Sequence, residues 1–239
     1  MNYKDNYMNN IKNVLITGGN RGIGLGLLTL FSVENNVMIT VRDEEKGQKA
    51  LEYLKDVHNK KIDYVVMDVD DNESVLKASK EIARIYSSVD ILINNAGILL
   101  SEYDLPALQT SEESIIKTFN TNTLGALRVC KAILPLMNGA GRIINISSGM
   151  GQLEDMEGGS IAYRISKTSL NTLTVVLSKE LKSKKIKVNT ICPGWVKTDM
   201  GGQNATLTIE ESTSKIVAFA LSDDFPNGKF LRHGVVIPW

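Results

Sequence analysis

Short runs of apolar residues recur along the chain and are separated by longer amphipathic segments. The runs are four to six residues long and most are rich in Val and Ile, which is typical of strands covered on both faces of a sheet. The predicted strands are residues 12–17, 37–41, 64–69, 91–94, 142–147, 187–192 and 235–239.

The segments between the strands place mostly apolar residues at helical spacing. Two such stripes are Val75, Ser79, Ile82 and Tyr86, and then Ile116, Phe119, Leu124, Leu127, Ile133 and Leu134. Thr208 and Glu211 form the pattern of a capping box, which predicts a last helix through Leu221. Strands that alternate with helices over short connections predict an α/β fold. We expect a Rossmann-type doubly wound parallel sheet of about seven strands, with helices on both faces in three layers.

The chain has 239 residues and contains no Pro-rich linker, composition break or internal repeat. This predicts one domain over residues 11–239, preceded by a flexible, polar and Asn-rich extension over residues 1–10. The 27 basic and 27 acidic residues balance, so we expect a small neutral partner rather than nucleic acid or an anionic membrane. No apolar run reaches the roughly 18 residues that are needed to span a bilayer.

The side chains available for chemistry narrow the choice of function further. Cys130 and Cys192 have no paired spacing and no secretory signal is present, which favours a reduced, cytoplasmic location. His58 and His233 are the only histidines. A Ser-His-Asp hydrolase would need one of them beside an activated serine, and a zinc site would need more His or Cys ligands, so we expect neither a hydrolase nor a bound metal.

A glycine-rich turn connects the first predicted strand to the first helical pattern. Residues 17–24 read TGGNRGIG, with three residues between the first and second glycines of Gly18, Gly22 and Gly24. Such a turn lets the backbone approach a pyrophosphate, and the helix N-terminus offers free N–H donors. We therefore expect a dinucleotide to contact Gly18, Asn20, Arg21, Gly22, Ile23 and Gly24. Glycines at this density also occur in plain tight turns, but the strand-to-helix context favours the dinucleotide.

The end of the second strand indicates which dinucleotide binds. Many NAD-binding proteins carry an acidic residue here, whereas this chain has Val41 followed by Arg42. A guanidinium can pair with a 2′-phosphate, and Arg21 would approach the same group from the glycine turn. The sequence therefore predicts NADP(H) in preference to NAD(H). In the alternative, Arg42 begins a solvated loop and Asp43 supplies the acid after a one-residue shift.

Tyr163 and Lys167 are four residues apart, which places them on one face of a helix. A cation at that position favours the phenolate, so we expect Lys167 to lower the pKa of Tyr163 from its ordinary value of about 10. Tyr163 would then act as a general acid near neutral pH. A solvated pair on a helix surface has the same spacing.

Seven short motifs in order give the chain a family resemblance over nearly its whole length. They are Thr17-Gly18-x-x-x-Gly22-x-Gly24, Asp68 after the third strand, Asn94-Asn95-Ala96-Gly97 after the fourth, Asn122 before Leu124-Gly125, Ser148 after the fifth strand, Tyr163-x-x-x-Lys167, and Pro193-Gly194 with Thr198 after the sixth. The chain resembles the compact, one-domain short-chain dehydrogenase/reductases. Residues 195–201 and the terminal Ile237-Pro238-Trp239 resemble small carbonyl reductases of the C-factor or sniffer type.

The resemblance implies an NADPH-dependent reduction of a small aldehyde or ketone, reversible in principle. Tyr163 would protonate the developing alkoxide and Ser148 would hydrogen-bond the same oxygen. Lys167 would lower the Tyr163 pKa and hold the nicotinamide ribose, and Asn122 would anchor a water that relays protons to Lys167. Ser147 is the competing serine, and Ser148 is preferred because the second residue of such a pair usually faces the site.

The resemblance also implies a set of cofactor contacts. These are Asp68 to the adenine, with Val69, Asn94, Ala96, Gly97, Tyr163, Lys167, Pro193, Gly194, Val196 and Thr198. Asp68 could instead end its strand in a turn, and residues 94–97 could form a loop selected for its backbone angles. Residues 199–207 are interpreted as a substrate lid or, alternatively, as a surface loop. The expected apolar pocket walls are Leu99, Leu100, Met150, Leu153, Met156 and Trp195.

Assembly and two rival functions follow from the same resemblance. Monomeric carbonyl reductases of the family carry a long insertion before the catalytic Tyr, and the segment from Ser148 to Tyr163 has no room for it, which implies a homodimer or homotetramer. The first rival is a non-catalytic NADP(H)-binding regulatory or signalling protein on the same fold. The second is an isomerase or lyase, which generally needs a further C-terminal substrate domain, and few residues follow Thr198 here.

Overall fold

The computed structural model describes residues 11–54, 62–100 and 104–239, so the predicted extension over residues 1–10 and His58 lie outside the described residues. The strands are β1 (Asn13–Thr17), β2 (Asn36–Val41), β3 (Ile62–Val66), β4 (Ile91–Asn94), β5 (Arg142–Ile146), β6 (Lys187–Cys192), β7 (Phe230–Arg232) and β8 (Val235–Ile237). They form one sheet in the order β3-β2-β1-β4-β5-β6-β7-β8. All neighbours pair in parallel except β7 and β8, which are antiparallel.

Helices cover both faces of this sheet. They are α1 (Gly22–Phe31), α2 (Glu44–Leu54), α3 (Asn72–Ile85), α4 (Glu112–Phe119), α5 (Ala126–Ile133), α6 (Ile161–Glu180) and α7 (Ile209–Leu221). No helix in the described part of the chain has the length and apolarity needed to cross a membrane. The predicted doubly wound α/β fold is confirmed, with eight strands where about seven were expected and one antiparallel pair at the edge of an otherwise parallel sheet.

Alternation along β1 shows why the sheet needs a helical layer on each side. Val14 and Ile16 belong to the core that contains Leu28 of α1 and Ile216 of α7. Leu15, between them, belongs to the opposite core, with residues of α3 and α5. Successive side chains of a strand point to opposite faces, so a strand with three consecutive apolar residues must be covered on both faces.

The largest differences from the sequence-based expectation concern three strands. The third strand ends at Val66, earlier than predicted, and the carboxylate of Asp68 accepts a hydrogen bond from the Asp70 N–H at 3.0 Å within the following turn. The strand Phe230–Arg232 was not predicted, because three residues are too few to establish a periodic pattern. The strand predicted at 235–239 is the short antiparallel edge strand Val235–Ile237.

The longer apolar stripe is not one continuous helix. A π-helical segment, Asn120–Gly125, separates α4 from α5. Its wider turn brings a buried Asn122 into the interior, and π-turns inside helices occur frequently at functional sites. The capping box at the start of α7 is confirmed, since Thr208 and Glu211 exchange side-chain to backbone hydrogen bonds.

Candidate active site

Tyr163 and Lys167 lie one turn apart on α6 and are both buried, with 8% and 4% of their surface exposed. The Lys167 Nζ donates a hydrogen bond to the backbone carbonyl of Ile146, at the end of β5, over 2.9 Å. The same atom is 5.5 Å from the centre of the Tyr163 ring. The helix therefore brings the predicted pair together at the carboxyl end of the sheet, and the solvated-pair alternative does not describe it.

The expected lowering of the Tyr163 pKa is wrong for this arrangement. Burial raises the pKa of Tyr163 to about 12, and a hydrogen bond with Ser148 opposes that rise. Burial also lowers the pKa of Lys167 to about 8. Spacing brings the ammonium close, but the site excludes water and thereby penalises both charged forms. Tyr163 therefore keeps its proton at neutral pH and is suited to donate it.

Ser147 and Ser148 have different environments although they are adjacent. The Ser147 hydroxyl is buried and donates to the backbone carbonyl of Lys167 over 3.3 Å. Ser148 acts on Tyr163 by opposing the rise in its pKa, and the Ser148 Oγ accepts from the Met150 N–H at 3.1 Å. The structure thus places Ser148 beside the phenol and uses Ser147 to attach α6 to the end of β5.

The side chain of Asn122 connects the loop after β4 to α6. Its Oδ1 accepts from the Ile98 N–H at 2.8 Å, and its Nδ2 donates to the Ile98 carbonyl and to the Ser166 Oγ, each over 3.0 Å. The Ser166 hydroxyl in turn donates to the Tyr163 carbonyl over 2.8 Å. The Asn122 amide is thus committed to protein partners, and its expected part in a water relay remains a prediction.

Ser166 was missed by the sequence reasoning. It is fully buried at the centre of the contacts between the π-helical segment and α6, and its carbonyl also accepts from the Thr123 hydroxyl at 2.8 Å. A serine three residues after a tyrosine carries no signal of its own, because serine is tolerated on many exposed helix faces. The role of Ser166 depends on its contacts with the π-helical segment, which the sequence does not reveal.

The glycine turn after β1 has the backbone geometry of a phosphate cradle. Gly18 and Gly22 have φ of +66° and +53°, and a Cβ added to Gly24 would lie 2.2 Å from the Gly18 carbonyl oxygen. The first turn of α1 contains no acidic residue, and its N-cap residue Arg21 makes no side-chain capping bond. The free N–H groups at the start of α1 therefore fit a pyrophosphate, and side chains at these glycines would not fit.

Polar side chains position the strand end opposite this turn. The Asn95 Nδ2 donates to the carbonyls of Thr17 and Gly18 over 2.9 and 3.0 Å, and the Asn94 Nδ2 donates to the Asn145 Oδ1 over 2.8 Å. A Cβ added to Gly97 would lie 3.1 Å from the Asn122 Oδ1 and 3.6 Å from the Lys167 Nζ. Residues 94–97, with Ala96 next to the glycine turn, thus link the predicted cradle to the predicted catalytic lysine.

Arg42 stands at the end of β2 with about half of its side chain exposed. Its Nε is 3.8 Å from the Asp68 Oδ1 and its Nη2 is 3.7 Å from the Asp70 Oδ2. These separations are too long for hydrogen bonds, so its donors remain available to another acceptor. Asp43 instead accepts from the Lys46 N–H at 3.0 Å in the first turn of α2, and hydrogen bonds from Lys46 lower its pKa.

Asp43 and Arg21, the two other residues considered for this end of the cofactor, both have protein partners. The Asp43 carboxylate is engaged by Lys46, which disfavours the alternative in which Asp43 holds the cofactor ribose. The Arg21 Nη1 forms an exposed ion pair with the Asp199 Oδ2 at 2.9 Å. Its approach to a 2′-phosphate remains a prediction, and it would require Arg21 to leave Asp199.

The segment after β6 folds back over the site. Gly194 has φ of +84°, and an isolated bridge between Val196 and Leu207 closes the loop. The Trp195 Nε1 donates to the Gly201 carbonyl over 2.8 Å, and the Gly201 N–H donates to the Thr198 Oγ1 over 3.1 Å. Thr198 also packs near Gly22, whose added Cβ would be 3.3 Å from the Thr198 Cγ2.

One side of Tyr163 borders a cleft. It is lined by Leu99, Leu100, Thr110, Ser114, Thr118 and residues 160–163. On the loop side, the Met200 Sδ lies 4.0 Å from the Tyr163 Oη. Leu153 and Trp195, two of the other predicted wall residues, are exposed, with 62% and 53% of their surface accessible. The cleft beside Tyr163 thus combines four apolar residues with four that carry hydroxyl groups.

The remaining candidates for chemistry contribute no second site. His233 occupies a left-handed position in the turn between β7 and β8, and burial lowers its pKa. Cys130 and Cys192 are free and buried. Across residues 11–54, 62–100 and 104–239, no group of His, Cys, Asp and Glu side chains has the arrangement of a metal site.

Known proteins share both the sequence pattern and the fold. A sequence model of the short chain dehydrogenase family matches residues 12–207. Carbonyl reductase (NADPH) 1 of Homo sapiens is 30% identical over 275 residues, covering 94% of this chain and 97% of that protein. Carbonyl reductase Sniffer of D. melanogaster has a TM-score of 0.87 at 32% identity, covering 96% of this chain and all of that one. NADPH-bound carbonyl reductase from chicken fatty liver has a TM-score of 0.86, also at 32% identity, covering 96% of this chain and 99% of that one.

Proposed function

The chain belongs to the short-chain dehydrogenase family, and on that basis we propose that it is an NADPH-dependent carbonyl reductase acting on small aldehydes or ketones. Residues 11–239 are proposed to act as one catalytic domain. The observation that carries the proposal is the buried phenol of Tyr163, one helical turn from the buried Lys167, whose Nζ is 5.5 Å from the centre of the Tyr163 ring. A regulatory protein that only bound the cofactor would have no need for a protonated donor at the end of a cleft.

The proposed roles follow from the protonation state of each group at neutral pH. Bound NADPH supplies the hydride that the carbonyl carbon receives. Tyr163, with a pKa of about 12, donates its proton from Oη to the carbonyl oxygen, and the Ser148 hydroxyl donates a hydrogen bond to the same oxygen. Lys167, with a pKa of about 8, is suited to return a proton to the phenolate and to hold the nicotinamide ribose. Asn122 keeps the loop after β4 against α6.

The glycine turn, the strand ends and the β6 loop are proposed to hold the cofactor. The turn supplies backbone donors to the pyrophosphate, while Asp68 and Val69 border the adenine. Pro193, Gly194, Val196 and Thr198 border the nicotinamide. Arg42 is proposed to select the 2′-phosphate, because its guanidinium stands at the end of β2 and its donors are not committed to Asp68 or Asp70.

Arg42→Ala is expected to weaken NADPH binding by roughly 10- to 150-fold, the value of one or two charge-assisted hydrogen bonds, and to leave NADH binding nearly unchanged. The measurement is the Kd of each cofactor by fluorescence titration. Lys46→Ala is the matched control, because it removes a cation that pairs with Asp43 at the same sheet edge. Equal weakening for NADPH and NADH would contradict selection of the phosphate.

Ser148→Ala is expected to lower kcat by roughly 100-fold, because a donor to the developing alkoxide is lost. The adjacent Ser147→Ala is the matched control, since it removes the same atom from a hydroxyl that is bonded to the Lys167 carbonyl. Its kcat should stay within about threefold of the native enzyme. The two serines would have exchanged roles if Ser147→Ala showed the larger loss.

The experiment that tests the function itself is a turnover assay. The purified protein is supplied with NADPH and a panel of aldehydes, ketones, quinones and diketones, and the loss of NADPH absorbance is followed. Turnover of at least one class supports a reductase. Cofactor binding without any turnover would favour the regulatory alternative.

Assembly and location remain part of the proposal. We propose a cytoplasmic homodimer or homotetramer, which light scattering after size-exclusion chromatography would test. Exposed apolar residues on neighbouring helices, Ile116 on α4 and Ile165 and Val176 on α6, support a contact surface. The alignment with the human relative is 275 residues long against 239 in this chain, so that protein has residues without a counterpart here.

A further inference from the structure

Arg164, the residue after Tyr163, has a charged side chain that is almost completely buried, with 6% of the residue exposed. Its Nε donates to the Gly159 carbonyl over 3.1 Å, and its Nη2 donates to the Gly158 carbonyl over 3.2 Å. Its Nη1 lies 3.7 Å from the Met156 Sδ. One guanidinium thus contacts three residues of the segment that leads into α6.

The backbone carbonyls, and not an ion pair, satisfy this buried charge. Glu157 lies 3.6 Å from the Arg164 Nη2, but the Glu157 side chain is 84% exposed, and pairs with a solvated partner contribute little. Burying a guanidinium is costly unless its donors find acceptors. The acceptors here belong to the main chain, so the hydrogen bonds that stabilise the charge also fix the path of the backbone.

The backbone held in this way is strained just before the catalytic helix. Gly159 and Ser160 both have positive φ, +73° and +52°, and the conformation of Ser160 is disfavoured for a residue with a side chain. Ser160 is the N-cap residue of α6, yet its side chain makes no capping bond. A left-handed pair without a local cap persists only where surrounding contacts impose it, and Arg164 provides two of them.

This turn forms part of the cleft wall beside Tyr163. Residues 160–163 line the cleft together with Leu99 and Leu100, and Ser160 is 7% exposed. A change in the Gly158–Ser160 path would therefore move this part of the wall, while Tyr163 and Lys167 stay anchored through Ser166 and the Ile146 carbonyl. The glycine turn and Arg42 lie at the ends of other strands, β1 and β2.

We propose that Arg164 is a positioning residue for the carbonyl substrate: through Gly158 and Gly159 it fixes the position of Ser160 in the wall of the cleft, so that the carbonyl group of the substrate is held next to Tyr163. The inference rests on the proposed reductase function. It assigns to Arg164 no contact with the reacting atoms and no part in cofactor binding.

Arg164→Ala is the main test. The KM for the best carbonyl substrate should rise by at least about tenfold, while kcat per active site stays within about threefold and the Kd for NADPH is unchanged. Active sites are counted by NADPH titration. A purely structural loss would lower the number of active sites without changing KM, so an unchanged KM would overturn the proposal, as would a loss confined to kcat.

Three further measurements control the result. Arg164→Lys keeps the charge but loses the planar guanidinium that reaches two carbonyls, so its KM should lie between those of the native enzyme and Arg164→Ala. If the Ala variant fails to fold, the test is whether the KM of Arg164→Lys exceeds the native value. Methylguanidinium at millimolar concentration should lower the KM of Arg164→Ala and leave the native enzyme unaffected. Glu157→Gln should leave KM unchanged, and a rise equal to that of Arg164→Ala would show that the ion pair, not the carbonyls, acts.

Hydrogen exchange separates this inference from the proposed function, since it needs no turnover. Peptides covering residues 156–160 should exchange faster in Arg164→Ala than in the native protein, while peptides covering the glycine turn exchange equally. Faster exchange in the variant, together with no turnover by the native protein, would support the positioning role of Arg164 and contradict the reductase proposal. Unchanged exchange in residues 156–160 would overturn the positioning role of Arg164 whatever the activity.

Discussion

Tyr163→Phe is expected to lower kcat for carbonyl reduction by roughly 100-fold or more, the usual contribution of a positioned general acid. The substitution removes only the hydroxyl, and the ring can keep its place beside Lys167 and Met200. The Kd for NADPH should therefore change by less than about twofold. Burial raises the Tyr163 pKa to about 12, so the phenol holds its proton at neutral pH and can donate it.

Single-turnover kinetics with bound NADPH would measure this loss in the chemical step itself. Tyr64→Phe is a matched control, since its hydroxyl donates to Glu44 over 3.2 Å at the protein surface, away from the site. A Tyr163→Phe enzyme that kept half of its native kcat would exclude Tyr163 as the acid. A large rise in the NADPH Kd would instead indicate that the hydroxyl serves the cofactor.

The sequence was most informative where one short segment defines both the element and the chemistry. The glycines at 18, 22 and 24 follow a buried strand directly, and the structure gives two of them positive φ and the third no space for a side chain. The family resemblance is confirmed by the match over residues 12–207. A local pattern of this kind predicts the structure well because the turn geometry restricts which residue types can occupy each position.

Features that depend on a distant partner were not predictable. The π-helical segment arises where Asn122 meets Ile98 and Ser166, residues 24 and 44 positions away. Arg164 is a different case, because its partners Gly158 and Gly159 are only six and five residues away, but the sequence does not show that this turn folds against its side chain. The strand Phe230–Arg232 exists because β6 provides a neighbour to pair with, not because three residues favour a strand.

The direction in which the Tyr163 pKa shifts was also not predictable from the sequence. Spacing of four residues correctly predicts that Lys167 is near, and nearness to a cation alone would lower the pKa. The sequence does not reveal that both side chains are excluded from water, with the ammonium bonded to the Ile146 carbonyl. In this site desolvation is the larger effect on both groups.

Because its ammonium group is desolvated, burial of Lys167 lowers the free energy of unfolding at neutral pH. Its folded pKa of about 8 is below the ordinary 10.5, so between these values the unfolded chain binds the extra proton. The free energy of unfolding therefore rises with pH through this window, by about 3 kcal/mol from this group alone. Below pH 8 the lysine is charged in both states, and the burial penalty is fully present.

Lys167→Met is expected to lower kcat by roughly 100-fold or more and to change the pH dependence of stability in a defined direction. Met removes the buried charge but leaves the Ile146 carbonyl without its donor, a cost of about 1 kcal/mol that does not vary with pH. The stability of the variant relative to the native protein should therefore be highest below pH 8 and fall by about 3 kcal/mol towards pH 10.5. Urea unfolding of both proteins at pH 7 and pH 10 measures this difference, since other titrating groups cancel. A relative stability that is constant, or that rises with pH, would show that Lys167 is not held in the folded protein as a desolvated cation.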